Sequence, residues 1–455
     1  MTERFLRDVD ALRARMQAVH DSADNLSLDW RLTQLQKIRD LLLEFWDEFL
    51  DALHTDLGKN KVEAAASDCI LAKDEVDNAI RNVRQWMKAE KVGAPMAMIP
   101  SFNRIEKRPL LGPACLVIGP SNYPLNLCLI PLIGALSAGN PVVLKPSELT
   151  PKISALLERA IHKYFDAGVV RVLNGGASVT SQLIQLPWGK IFFTGSERVG
   201  KIVASAAAQT LTPVVLELGG QCPVFVDETA PSDMQVVANR IAWGKLFNTG
   251  QTCVAPDYVL VHESKLDTLL EFLVRTIEWQ YGKNPQQSEL GRIVCKAHAE
   301  RLQKMIEEVE QDKVTRVILG KSADCDPEDR YVCPTIILNP PNTAQLLCTE
   351  IFGPILPIIS FKTRQEAINR VRSMPGTPLA MYVFTRQEKV LHEYMRSIRS
   401  GAVVRNDVSA NEAIFRTNRF LREAYSCHAF CLHVVHGSCS QHQNAFWRFG
   451  ILWYG

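Results

Sequence analysis

The sequence predicts an α/β protein built of two parallel-sheet domains and a small β arm. Short apolar runs, ACLVIG (114–119), PVVLK (141–145), VVRVL (169–173) and KIFFT (190–194), alternate with helical stretches. That is the rhythm of a parallel sheet with crossover helices. The rhythm restarts at residue 214, where TPVVLELGG, CPVFVD and DYVLVH read as further strands. Outside it, 103–112 and 400–407 are polar and β-like, and read as a separate ribbon.

Taken along the chain, 28–56 is an amphipathic helix, with Leu32, Leu35, Ile38, Leu42, Phe45 and Phe49 at three- and four-residue steps. A second helix covers 63–90, and others cover 231–248 and 264–280. The expected domains are 1–213, with 92–112 contributing to the arm, and 214–399, followed by an arm strand at 400–411 and a tail at 412–455.

A chain of 455 residues exceeds one ordinary hydrophobic core. Its 47% hydrophobic and 22% charged residues are ordinary for a globular protein in water. A net charge of +2 gives no electrostatic argument for nucleic acid or an anionic membrane. Apolar runs such as 125–136 are too short to span a bilayer, and MTERFLRDVD puts charges where a secretory signal needs an apolar run. A cytoplasmic enzyme with no visible membrane anchor is expected. Of twelve cysteines, nine are scattered from Cys69 to Cys348, which fits a reducing compartment.

Six segments carry candidate chemistry. Cys253 lies in FNTGQTCVAPD, a short polar turn. As a thiolate in an accessible setting it would be a nucleophile; taken alone, a cysteine is more often a small buried hydrophobe. Glu217 sits inside the apolar PVVLELGG. Burial would raise its pKa toward a general base's range, and a solvated strand end is the plainer alternative. Asn122, in GPSNYPLN, lies between a strand and a helix, where its amide can donate to an oxyanion or simply cap a turn. Lys145 ends a strand in VVLKPSE. Strand C-termini in parallel sheets bind ligands, so Lys145 and Glu148 can hold ribose hydroxyls or be a solvated strand end. In FTGSERVGK a strand runs into Gly195 and a helix containing Gly200 begins nearby, a possible phosphate site without the G-x-G-x-x-G fingerprint. Glu350 and Phe352 precede a Gly-Pro turn and an apolar strand in EIFGPILP.

In this order, GPSNYPLN, AGNPVVLKPSEL, FTGSERVGK, LELGG, FNTGQTC and EIFGPILP resemble the motif series of the aldehyde dehydrogenase superfamily. The short N-terminal lead and GQTCVAPDYV look most like its class 3 branch, which includes fatty and aromatic aldehyde dehydrogenases. The resemblance implies two Rossmann-like domains, an arm used in homodimerisation, NAD or NADP as cofactor, and no metal. It implies that Cys253 attacks the aldehyde, that Asn122 and the Cys253 N–H hold the oxyanion, and that the resulting thiohemiacetal is oxidised to a thioester. Glu217 then activates water to release the acid. Lys145 and Glu148 match adenosine-ribose positions, Gly195, Ser196 and Gly200 the pyrophosphate site, and Glu350 and Phe352 the nicotinamide-ribose site. Asn406 matches a position in the arm. Gln221 departs from the pattern, which often has Lys there.

The resemblance stops near Asn411. The pattern should continue with Pro-Phe-Gly-Gly-x-Gly-x-Ser-Gly, but 412–455 contains no such string and instead crowds Cys427, Cys431 and Cys439 among histidines. Their spacing fits no zinc finger. Codons for AFWRFGILWYG, read one nucleotide later, permit Pro-Phe-Gly-Gly-Leu-Gly-x-Ser-Gly-Met. The tail is therefore expected to be aberrant, partly non-coding or frame-shifted sequence that packs poorly. The chain would then be an aldehyde dehydrogenase or, lacking this loop, an NAD(P)-binding protein with impaired catalysis. Sequencing the transcript across 406–447 tests the frame reading, and a transcript without the loop in any frame would end it.

Overall fold

The computed structural model describes residues 2–94, 96, 101–408, 431–439 and 450–451. The chain divides into two compact units: Met1–Ala52 with Ala65–Glu217 and Glu423–Gly455, and Leu53–Ala64 with Leu218–Arg422.

The first unit carries β1 (Glu90–Val92), β2 (Ser101–Pro109), β3 (Cys115–Ile118), β4 (Val142–Lys145), β5 (Val170–Val172), β6 (Lys190–Thr194) and β7 (Val214–Glu217). Strands β3 to β7 form an all-parallel sheet in the order β5-β4-β3-β6-β7. β3 and β4 are buried at every position, so they read as continuous apolar runs rather than as alternation. The helix Asn126–Ser137 has almost no polar face. It therefore lies in the middle of the unit, between β3 and β4 on one side and the helices Leu28–Glu44 and Ile70–Trp86 on the other. Its first N–H, on Asn126, donates to the buried Asp68 carboxylate at 3.1 Å. A π turn at Ala65–Cys69 supplies that carboxylate, and an acid at a helix N-terminus is favourable.

Periodicity hides two helix breaks. The expected helix 28–56 is two, Leu28–Glu44 and Trp46–Leu57, separated at Phe45, whose backbone leaves helical geometry at ψ 13°. The expected helix 63–90 is interrupted by the π turn, which shifts the register of the helix Ile70–Trp86 beyond it. A helix at Thr2–Asp21 precedes the first one the periodicity marks.

The second unit carries β8 (Cys222–Val226), β9 (Pro256–His262), β10 (Arg316–Leu319), β11 (Thr335–Leu338), β12 (Ile355–Phe361), β13 (Ala380–Phe384) and β14 (Ala402–Arg405). They form one sheet in the order β10-β11-β12-β9-β8-β13-β14, parallel except for the antiparallel β10–β11 pair. Its packing includes Phe225 against Tyr394, ring centroids 4.3 Å apart. At the end of β8, the fully buried Asp227 accepts from Arg364 Nε at 2.8 Å, Thr229 Oγ1 at 2.6 Å and Tyr394 Oη at 3.2 Å. Burial pushes the Asp227 carboxyl up, but the Arg364 and Thr229 hydrogen bonds outweigh it and hold the group below the usual range. This ion pair therefore stabilises the unit above the usual Asp pKa, and the benefit is lost as pH falls through the depressed value. Arg364→Met strands the buried carboxylate and should cost about 3–5 kcal/mol in urea unfolding at neutral pH; a loss under about 1 kcal/mol, on the order of an exposed pair, would refute this role for the pair.

The segment 400–407 does not join the ribbon with 92–112. β14 pairs in parallel with β13, adding an edge strand to the large sheet. Its Ala-Val-Val stretch lies half-buried along the edge of the wholly buried β13. Asn406 continues the pairing with its side chain, Oδ1 accepting from Thr385 N at 2.8 Å and Nδ2 donating to Thr385 O at 3.0 Å. The ribbon instead contains β1, β2 and two tail strands, β15 (Cys431–Cys439) and β16 (Gly450–Ile451). β15 runs antiparallel to the whole of β2, from Cys431 opposite Pro109 to Cys439 opposite Ser101. The rest of the tail, including Cys427 and the segment 440–449, lies outside the described residues. Among the described residues, no helix is long and apolar enough to cross a membrane.

Candidate active site

In the first unit, the candidate residues gather at the carboxyl ends of neighbouring strands. Asn122 follows β3, Lys145 ends β4, Gly195 and Ser196 follow β6, and Glu217 ends β7. The strand order reverses direction about β3 and β6, which is where a doubly wound sheet opens a ligand crevice. Asn122 is buried in the loop between β3 and Asn126–Ser137. That loop sits close to the helix because Gly119 has no side chain: a Cβ there would lie 2.2 Å from Cys128 Sγ.

Lys145 is buried, and its ammonium donates to Pro146 O at 2.6 Å and to Glu148 Oε2 at 3.2 Å. Ser196 is the N-cap of the helix Glu197–Gln209, its Oγ accepting from Val199 N at 3.4 Å. Gly200 is buried in that helix's first turn, and Gly195 N donates to Glu217 O at 3.0 Å. A cation paired with a carboxylate, beside a capped helix N-terminus at a strand-end crevice, suits the hydroxyls and phosphates of a dinucleotide.

Glu217 is buried, and its Oε1 has no hydrogen-bond partner among the described residues. Burial alone pushes its carboxyl up to about 7. An orphaned buried carboxylate oxygen is costly, so its retention points to use rather than stability.

In the second unit, Cys253 follows the short 3-10 turn Phe247–Gly250 and precedes β9, and it is half-buried. The turn is strained. Asn248 and Thr249 both have φ of 54°, a conformation that costs about 1–3 kcal/mol for a residue such as Thr. Gly250 has φ 75°, and a Cβ on it would lie 2.2 Å from Gly353 O. The Gly-Gln-Thr-Cys turn is thus pressed onto the Gly-Pro turn that follows Glu350 and Phe352. Gln251 locks it further, its Oε1 accepting from Val294 N at 2.9 Å and its Nε2 donating to Arg292 O at 3.0 Å. The Cys253 carbonyl accepts from Cys222 Sγ at 3.5 Å, and the Val254 carbonyl accepts from Tyr382 Oη.

Glu350 explains the glycine pair of LELGG. A Cβ on Gly219 would lie 2.0 Å from Glu350 Oε2, and Gly220 N donates to Oε1 at 3.4 Å. Burial, and then the Asp257 charge, push the Glu350 carboxyl up to about 8. Phe352, at φ 53°, turns the chain immediately after it.

Three of the groups that hold this loop, Asp257, Lys245 and Arg301, carry no mark in the sequence motifs, and the fourth, Gln221, stands out there only as a departure from the pattern. Asp257 is fully buried and accepts from Ile351 N at 2.9 Å and Gln221 Nε2 at 3.1 Å. Gln221 Nε2 also reaches Leu347 O and Thr349 O, each at 3.2 Å. A neutral amide therefore fills the place where the family pattern often has an ammonium. Lys245, buried in a mostly apolar helix, donates to Pro256 O at 2.9 Å, and burial lowers its pKa to about 8. Arg301 donates to Ile351 O at 2.7 Å. The available signal was an Asp and a Lys inside apolar runs, which are costly unless paired.

The fold and these strand-end residues fit a dinucleotide-dependent enzyme. Residues 4–416 match the aldehyde dehydrogenase family. The chain is 40% identical over 392 residues to 4,4'-diaponeurosporen-aldehyde dehydrogenase of Staphylococcus aureus, covering 86% of this chain and 83% of that protein. It is 41% identical over 399 residues to human aldehyde dehydrogenase family 3 member B1, covering 88% and 82%. Among solved structures, substrate-bound AldH of Staphylococcus aureus matches with a TM-score of 0.88 at 34% identity, over 96% of this chain and 95% of that one. The P. syringae indole-3-acetaldehyde dehydrogenase AldA, a mutant solved with NAD+ and IAA, matches with a TM-score of 0.79 at 26% identity, over 89% and 82%. The chain belongs to the aldehyde dehydrogenase family, and it is about 40% identical to family 3 members over most of its length. It is an NAD(P)-dependent oxidoreductase acting on the aldehyde group.

Proposed function

We propose that this enzyme oxidises medium- or long-chain aliphatic or aromatic aldehydes to carboxylic acids through a covalent intermediate on Cys253. Cys253 Sγ adds to the carbonyl carbon, and the Asn122 amide and the Cys253 N–H hold the oxyanion. NAD(P)+, when bound, supplies the oxidant that turns the thiohemiacetal into a thioester. Glu217 takes a proton from the water that attacks the thioester, and the acid leaves Cys253. Lys145 and Glu148 hold the adenosine ribose. Gly195, Ser196 and Gly200 form the phosphate cradle, and Glu350 and Phe352 position the nicotinamide ribose. The reading includes a soluble, cytoplasmic homodimer.

The observation that carries it is Glu217: a buried carboxylate with an unpartnered oxygen, raised to about 7, at the end of a parallel strand. Turnover of a panel of medium-chain and aromatic aldehydes, followed by NAD(P)H absorbance, tests the substrate class. In the same assay Lys145→Met should raise the KM for NAD(P) about 10–100-fold, the loss of a charge-assisted hydrogen bond to a ribose. An unchanged KM would remove Lys145 from the cofactor site.

A second reading, a cofactor-binding chain with slow turnover, is favoured by the family match ending at residue 416 and by the missing glycine-rich loop in 412–455. Cofactor binding without turnover of any aldehyde would select it.

A further inference from the structure

We propose that Cys325 and Cys333 form a peroxide-sensitive dithiol site that closes to a disulfide, separate from the nucleophile Cys253. The two sulfurs lie 3.6 Å apart. They flank a small hairpin closed by paired backbone hydrogen bonds, Asp326 N to Tyr331 O at 2.9 Å and Tyr331 N to Asp326 O at 2.8 Å. Both thiols converge on one carbonyl, Lys321 O, at 3.2 Å from Cys333 and 3.8 Å from Cys325. The hairpin thus brings the two sulfurs to 3.6 Å, from which side-chain adjustment can close an S–S bond.

The surroundings favour reaction. The hydrogen bond with Cys325, and a further one with Thr335 Oγ1 at 3.4 Å, hold the Cys333 thiol below its usual range, against the effect of burial. The same shared proton pushes Cys325 up. The thiolate therefore forms on Cys333, and Cys325 becomes the thiolate when its own proton crosses the S···S contact to Cys333. Cys333 is buried and Cys325 is half-buried, so a peroxide meets Cys325. Cys325 Sγ attacks a peroxide oxygen, the O–O bond breaks, and with hydrogen peroxide Cys325 sulfenic acid and hydroxide form; the hydroxide takes up the proton that the pair released, giving one water. Cys333 Sγ then attacks the Cys325 sulfur, the S–O bond breaks, and the departing hydroxide takes the remaining thiol proton as a second water. The pair loses two electrons and two protons, and the peroxide gains them.

The hairpin is also tied to the catalytic loop. Arg330 O accepts from Ile293 N at 3.0 Å, and the residues on either side of Ile293 are the backbone partners of Gln251, two positions before Cys253.

The test is peptide mapping of the full chain after limited hydrogen peroxide and alkylation of remaining thiols. Trypsin cleaves after Lys321 and Arg330, so Cys325 and Cys333 fall on separate peptides, 322–330 and 331–362, the second of which also carries Cys348. The expected result is a crosslinked pair of these peptides that persists in Cys348→Ser and Cys253→Ala, disappears in Cys333→Ser and reverts with dithiothreitol. A crosslink lost in Cys348→Ser would overturn the proposal. So would full alkylation of Cys325 and Cys333 at a peroxide dose that has already oxidised Cys253.

Discussion

Cys253→Ala should lower aldehyde oxidation by at least about 10⁴-fold while leaving NAD(P) affinity within about twofold. The size follows from covalent catalysis. Without the sulfur there is no thiohemiacetal, no thioester, and only uncatalysed attack on an oriented carbonyl. The selectivity follows from the architecture. The turn carrying Cys253 is held by the Gln251 side chain and by Gly250 pressed on Gly353. Removing the sulfur therefore leaves the loop in place, and the proposed ribose and phosphate contacts at the ends of β4 and β6 are untouched. NAD(P)H absorbance and a cofactor fluorescence titration measure the two quantities. Equal rates for the two proteins would show that another group captures the aldehyde.

Glu217→Gln should slow acid release by about 10²–10⁴-fold and leave the first turnover largely intact. A carboxylate can take a proton from water and a carboxamide cannot, so acyl-enzyme should accumulate and NAD(P)H should appear as a burst. The pH profile provides an independent check. Burial raises the Glu217 carboxyl to about 7, so below that pH it is protonated and cannot act as a base. The wild-type hydrolytic rate should rise as pH passes upward through about 7, and the Gln variant should lose that inflection. A burst-free variant with an unchanged profile would assign the base elsewhere.

Much of the candidate site was legible because its residues sit where secondary structure changes. An apolar run ending in Lys145 or Glu217, or running into Gly195, marks the carboxyl end of a buried strand, and parallel strands bury both faces. Cys253 was legible from its motif rather than from its own chemistry, since a lone cysteine carries little information. The breaks at Phe45 and at Ala65–Cys69 were not legible, because apolar spacing continues through a kink or π turn that changes only the backbone. β14 joins a different sheet from the one its texture suggests, because SGAVVRND is short and flanked by polar residues, so the sequence does not say which sheet edge it joins. The support beneath Glu350 was hidden for a similar reason. Gln221, Lys245, Asp257 and Arg301 are far apart along the chain and meet only through tertiary packing.

The central claim is that the aldehyde carbon becomes bonded to Cys253. Rapid acid quench of Glu217→Gln with aldehyde and NAD(P)+, followed by mass analysis of the peptide containing Cys253, measures this directly. An acyl group on Cys253, absent without cofactor, is the predicted result. An acyl group on another residue, or a burst of NAD(P)H with Cys253 unmodified, would contradict it.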